Sequence, residues 1–183
     1  FDYRIAICGR LHPSEDKVKN LTSAVKAAHS CLSKLETRRG SITLIGAQQT
    51  DINYSKLGID SSVAINTIPY INTRDAYFSE LLDADILLMP SVKEGFGLVA
   101  WEAACLGIPI IISRSSGLYE HLRDKGLSDL VISIEISGVP AIDEQKILLS
   151  LQDAISNQEL LKINANKISN ALASSTWKIA AER

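Results

Sequence analysis

Short apolar runs recur along the chain and are separated by stretches with a three- and four-residue apolar rhythm. The runs at 3–8, 41–46, 62–66, 86–89, 110–112 and 130–134 are rich in Ile, Leu and Val, as strands buried on both faces are. Between them, Leu21, Ala24, Val25, Ala28, Cys31, Leu32 and Leu35 mark one face of a helix that Gly40 ends. Ile147, Leu148, Leu151, Ala154 and Ile155 mark a second helix, and Leu160, Leu161, Ile168 and Leu172 a third. Thr73 is a candidate N-cap for a helix reaching Leu82, and residues 51–58 suggest a short helix. Residues 11–19 read as a loop, and Gly138-Val139-Pro140 as a chain break. Strands alternating with helices imply an α/β domain with a doubly wound parallel sheet, Rossmann-like in character.

The densest chemistry lies at 89–121. Pro90 ends an apolar strand because it has no N–H for the ladder. A loop with Glu94, Gly95, Phe96 and Gly97 follows. A helical stretch over 98–106 is stopped by Gly107, and Pro109 introduces the next strand. The two loop glycines are expected to take positive φ and to let backbone approach a ligand. The first N–H groups of the helix have no intrahelical partner and favour an anion. Carboxylates at Glu94 and Glu102 would repel a phosphate but accept hydrogen bonds from hydroxyls. Together these features suit a phosphorylated, polyhydroxylated ligand.

Glu94 and Glu102, with seven residues between them that include Gly95-Phe96-Gly97-Leu98, resemble the signature of retaining nucleotide-sugar glycosyltransferases of the glycogen synthase and sucrose synthase type. Pro90-Ser91 before it and Ser116-Gly117-Leu118-Tyr119-Glu120 after it are similar too. The resemblance implies the C-terminal, donor-binding half of a two-domain GT-B fold over residues 1–183, with strand order 3-2-1-4-5-6. It implies that the acceptor-binding N-terminal domain lies outside this chain, which begins at Phe1 rather than Met. By the same resemblance Glu94 contacts the donor sugar, Glu102 the ribose, and backbone at Gly95, Phe96, Gly97, Leu98 and Val99 the sugar and diphosphate. Arg10 and Lys19 match the cations that bind the diphosphate, with Lys17 as an alternative to Lys19. The loop at 69–72 falls where the family places its base contacts, and 175–178, with Trp177, resembles the start of its terminal helix. Ser115, Ser116 and Gly117 are further candidate donors to the cleft. The implied reaction is sugar transfer from a nucleotide diphosphate sugar to an unspecified acceptor, with retention and without a metal.

Composition narrows the alternatives. A formal charge of −2 over 183 residues gives no basic surface for nucleic acid. No apolar run approaches the ~20 residues of a spanning helix, so a cytoplasmic protein is expected. Cys8, Cys31 and Cys105 are scattered, as reduced buried thiols would be. Asp83-Ala84-Asp85 looks like a metal-binding Asp-x-Asp but falls at a strand's amino end, away from the proposed site. Two other functions fit part of the pattern. One is a non-catalytic nucleotide-binding or sensing module within a larger protein. The other is an NADP-dependent oxidoreductase domain, using Gly95, Gly97 and Ala100 with Arg114 about 20 residues on. Against the second, residues 90–94 separate the glycines from the strand end.

Overall fold

The computed structural model describes residues 2–9, 13–35 and 39–173. Its centre is a parallel six-stranded sheet in the order β3-β2-β1-β4-β5-β6, as the sequence led one to expect. The strands are β1 (Tyr3–Cys8), β2 (Gly40–Ile45), β3 (Ala64–Ile68), β4 (Ile86–Met89), β5 (Ile110–Ser113) and β6 (Ile132–Ile134). β1 pairs with β2 from Tyr3 opposite Gly40 to Cys8 opposite Ile45, and with β4 from Ile5 opposite Ile86 to Ile7 opposite Leu88. The chain order reverses between β1 and β4, which opens a crevice beyond their carboxyl ends.

Two apolar layers flank the sheet. On one face α2 (Leu21–Leu32) and α7 (Pro140–Ser156) bury Val25, Ala28, Ile147 and Leu151 against Ile5, Ile7 and Leu88. On the other, α4 (Arg74–Leu82), α5 (Leu98–Cys105), α6 (Gly117–Asp124) and α8 (Gln158–Ala173) gather around Leu87, Met89 and Ile112. β4 and β5 are buried along their whole lengths, because both layers close on them.

Several elements depart from the apolar pattern. Residues 13–19, expected as loop, form a helix, α1 (Pro13–Lys19). Lys17 and Lys19 stand in its last turn, which suits the helix dipole. α2 ends at Leu32, short of Leu35, and Gly40 begins β2 rather than closing a helix. β3 lies two residues later than its apolar run. The helical part of 51–58 is α3 (Tyr54–Leu57), with a 3-10 turn at Gln49–Asp51 before it. Pro140, read as a break, is the first residue of α7, where its missing N–H removes nothing. A 3-10 turn at Ser128–Leu130 delays β6 to Ile132. Cys105, expected buried, is exposed at the end of α5. Trp177 lies outside the described residues.

Candidate functional site

The site is assembled at the reversal point, from the segment after β1 and the loop after β4. α1 and α2 meet at Asn20, which adopts the left-handed conformation with φ 57°. Asparagine tolerates that region better than most residues. Its buried side chain also donates to Asp143 at 3.3 Å. Asp143, fully buried in the first turn of α7, accepts further hydrogen bonds from the Ser137 and Gly138 N–H groups and the Ser137 hydroxyl. The corner is thereby fixed to α7, its neighbour in the same layer. The end of α1 in turn carries the glycine loop: the Val92 and Lys93 N–H groups donate to the Val18 carbonyl at 2.8 and 3.3 Å.

This docking brings Lys19 onto Glu94. The ammonium lies 2.5 Å from Glu94 Oε2, and the buried Ser91 hydroxyl donates to the same oxygen at 3.1 Å. The Glu94 side chain is only 12% exposed, so it is held rather than solvated. Its Oε1 carries no protein partner among the described residues. Lys17 is exposed and borders two cavities of about 320 and 260 Å³, the smaller lined also by Val92 and Gly138, and of the two lysines it is Lys19 that reaches Glu94. Arg10 lies outside the described residues.

The loop itself is shaped by its glycines, though not both in the expected way. Gly97 has φ 92° and is the N-cap of α5; a Cβ there would meet the Met89 methyl at 2.9 Å. Gly95 does not take positive φ, and a Cβ on it would meet nothing within 4 Å. The first intrahelical bond across the cap runs from Trp101 N–H to the Gly97 carbonyl at 3.0 Å, so the Leu98, Val99 and Ala100 N–H groups have no backbone partner among the described residues. The opposite side of the loop is pinned by α6. Gly117 and Leu118 N–H donate to the Gly95 and Phe96 carbonyls, both at 2.7 Å. A Cβ on Gly117 would lie 2.9 Å from the Gly95 carbonyl oxygen, so only glycine permits this approach.

The candidate donors of that third loop are therefore engaged within the protein. Gly117 gives its N–H to the glycine loop. Ser116 caps α6, accepting from Tyr119 N–H and donating to the Ser113 carbonyl. Ser115 shares a hydrogen bond with the Ser113 hydroxyl at 2.8 Å. These residues hold the loop in place. Behind the loop, Phe96, Trp101 and His121 form an aromatic cluster with centroids 5.4–6.0 Å apart. His121 Nε2 is buried without a partner among the described residues, and burial lowers the imidazole pKa, with Lys125 adding to the effect.

Glu102 lies farther along α5. Its carboxylate has no ion pair and no well-formed hydrogen bond among the described residues. Its influence is visible in its neighbours: the Cys8 thiol is pushed up to about 12, first by burial and then by Glu102. Arg114, the cation of the NADP pattern, turns away and donates to Ser133 across β5 and β6 at 3.1 Å. Asp83 and Asp85 engage Arg4 at the amino end of the sheet, and Lys162 lies 3.7 Å from Asp85. The role of Ser91 was not legible from its identity, although it stands beside Pro90 at the strand end. The roles of Asn20 and Asp143 appear only when α1 and α7 are brought together.

A family model described as "Family 4 Glycosyltransferase in conflict systems" matches residues 2–183. A D-inositol 3-phosphate glycosyltransferase of an Arthrobacter species is 27% identical over 157 residues, covering 82% of this chain and 34% of that protein. An uncharacterised 41.2 kDa protein in the cps region of Klebsiella pneumoniae is 45% identical over 60 residues, 33% of this chain and 16% of that protein. The matches thus span about a third of one relative's length and less of the other's. Among solved structures, the C-terminal domain of a group 1 glycosyl transferase from Francisella tularensis superposes with a TM-score of 0.68 at 22% identity, covering 94% of this chain and 85% of that one. The Anabaena protein HepE, in complex with UDP and glucose, gives a TM-score of 0.68 at 16% identity, covering 95% of this chain and 44% of that one. At such identities these two establish the GT-B domain fold.

Proposed function

The chain belongs to the family 4 glycosyltransferases in conflict systems, and from that premise we propose that it is the donor-binding domain of a retaining enzyme that uses a nucleotide diphosphate sugar. The observation that carries this reading is the pairing of Lys19 and Ser91 on one oxygen of Glu94, beside the first N–H groups of α5, which have no intrahelical partner. The arrangement offers a fixed carboxylate oxygen to sugar hydroxyls and a positive cradle to the diphosphate. Leu98, Val99 and Ala100 N–H would hold phosphate oxygens, with Gly95, Phe96 and Gly97 lining the approach. Glu102 would take the ribose hydroxyls. Lys19, together with Arg10, would balance charge that grows on the leaving diphosphate, the kind of preorganised electrostatic help that dominates many transfer reactions. This assignment uses no bound metal. The acceptor side would come from a second domain of the parent protein, whose closure excludes water and orients the acceptor hydroxyl.

Calorimetric titration of UDP, GDP and ADP, and of their glucose conjugates, tests the assignment. The chain is expected to bind the fitting nucleotide in the micromolar-to-millimolar range, roughly −4 to −8 kcal/mol. Glu102→Ala should weaken nucleotide and nucleotide-sugar alike, by about 1.5–3 kcal/mol. Glu94→Ala should weaken the nucleotide-sugar alone, since it also releases Lys19 for the diphosphate. Equal losses for both ligands in both variants would sink it. Sugar transfer by the full parent protein, absent in the isolated chain, separates an enzyme from a non-catalytic binding module.

A further inference from the structure

The smaller of the two cavities beside α1, about 260 Å³, has Asp16, Lys17, Thr22, Ser23, Val92 and Pro140 in its wall. Ser23 stands in the first turn of α2 and is only 2% exposed. Its N–H precedes the first bond of that helix, and its hydroxyl makes no hydrogen bond among the described residues. A buried hydroxyl without a partner costs stability, and alanine would fill the same place in a helix without that cost. Thr22 leaves its hydroxyl unbonded among the same residues, while its N–H donates to Asp16 Oδ1 at 2.6 Å. That bond fixes the carboxylate and leaves its Oδ2 available. Lys17 forms no ion pair among the described residues. The cavity thus presents two hydroxyls, a held carboxylate oxygen and an ammonium, none of them used by the free chain.

We propose that this cavity is a second sugar subsite, taking one uncharged, hydroxyl-bearing ring, and that on the donor-site reading above the ring belongs to the acceptor. Sugar hydroxyls both donate and accept, so they match this mixed set of partners. Asp16 and Lys17 cancel in charge, and Asp16 already stands at the start of α2, which disfavours a phosphate there. Val92 and Pro140 give the ring's C–H face an apolar wall. The volume falls just below the ~300 Å³ at which pockets for drug-sized ligands begin, which suits a single ring. Val92 also ties the cavity to the donor loop: its N–H is bonded to the Val18 carbonyl, and Glu94 follows two residues later. The second domain of the parent protein would supply the acceptor's remaining contacts.

The test is an amide-resolved NMR titration of the 183-residue chain with methyl α-glucopyranoside, methyl α-mannopyranoside, myo-inositol and inorganic phosphate, each with and without saturating UDP, GDP or ADP. At least one neutral probe should shift the Thr22, Ser23, Val92 and Gly138 amides at millimolar concentration, and equally so with the nucleotide bound. Ser23→Ala and Thr22→Val should each weaken that binding about fivefold and leave nucleotide affinity unchanged. Ser23→Ala should also melt no lower than the parent, which a serine kept for the fold alone would not allow. No shift with any neutral probe, shifts with phosphate alone, or undiminished binding by both variants overturns the inference. Competition between probe and nucleotide would make the cavity the donor sugar's own pocket and overturns it too. Ring binding by a chain that binds none of the three nucleotides overturns instead the donor-site reading, and with it the acceptor role, while the sugar subsite stands.

Discussion

Glu94 and Glu102 belong to one motif, yet the fold treats them oppositely. Glu94 sits in the loop, largely covered, with Lys19 and Ser91 on one oxygen. Glu102 sits inside a helix, with no ion pair among the described residues. The first carboxylate is preorganised in the free protein, so removing its partners disturbs the fold. The second, on the proposed assignment, is completed by a ligand, so altering it should disturb binding. Stability and affinity should therefore separate along this motif, and the separation distinguishes a scaffold from a site.

The largest effect is expected at the hinge between the two glutamates. Gly97→Val forces a β-branched residue to φ 92° and drives its Cβ onto the Met89 methyl. Backbone strain and overpacking together should cost about 2–4 kcal/mol and abolish donor binding. The Met89 contact makes this a change to the fold as well as to the site. Gly95→Ala is the matched control, since Gly95 needs no positive φ and its Cβ direction is open. Urea unfolding of both variants measures the contrast. An unchanged midpoint for Gly97→Val would show that the loop is not anchored on Met89.

Next in size is the direct comparison of the charges. Lys19→Ala leaves Glu94 mostly buried with Ser91 as its remaining partner. Breaking a fully buried pair costs ~3–5 kcal/mol; Lys19 is 32% exposed, and water can replace part of it, so about 1–3 kcal/mol is expected. Glu102→Gln removes no ion pair among the described residues and should change stability by less than about 0.5 kcal/mol. If the two variants unfold at the same denaturant concentration, the asymmetry between the carboxylates is not energetic.

The strands and the motif were legible because parallel strands write themselves as apolar runs and because Gly97 and Pro90 punctuate the unit. The family and the strand order followed from the same stretch. α1 was not legible, since Val18 is the single aliphatic residue in its PSEDKVK sequence. A short polar helix has little stability of its own, and this one is held by the loop that hydrogen-bonds to the Val18 carbonyl. The choice between Lys17 and Lys19 was invisible for the same reason: it depends on which way the end of α1 faces after the turn at Asn20. Ser115, Ser116 and Gly117 looked like ligand donors because their types suit that role. Their hydrogen bonds instead go to the loop, the cap and one another. Residue type restricts what a group can bind, but tertiary contacts decide whether it is available.

The smallest expected effect is a pH dependence that reaches the loop through His121. Its Nε2 is buried without a partner and its ring packs against Phe96, which lies between the two glutamates. Burial, with Lys125 adding, lowers its pKa below the ordinary 6.5, and Asp124 offsets only part of this. The folded protein thus binds that proton less readily than the unfolded chain. Linkage gives the sign: between the lowered folded value and about 6.5 the unfolded state carries more protons, so stability rises with pH. The contribution is fully present above about pH 6.5 and is lost as pH falls through the folded value. His121→Phe keeps an aromatic ring against Phe96 and Trp101 but has nothing to titrate. Melting temperatures measured from pH 7.5 to 5 should fall more for the parent than for this variant. Parallel curves would show that His121 keeps its ordinary proton affinity, and that the aromatic cluster holds Phe96 equally well in either charge state.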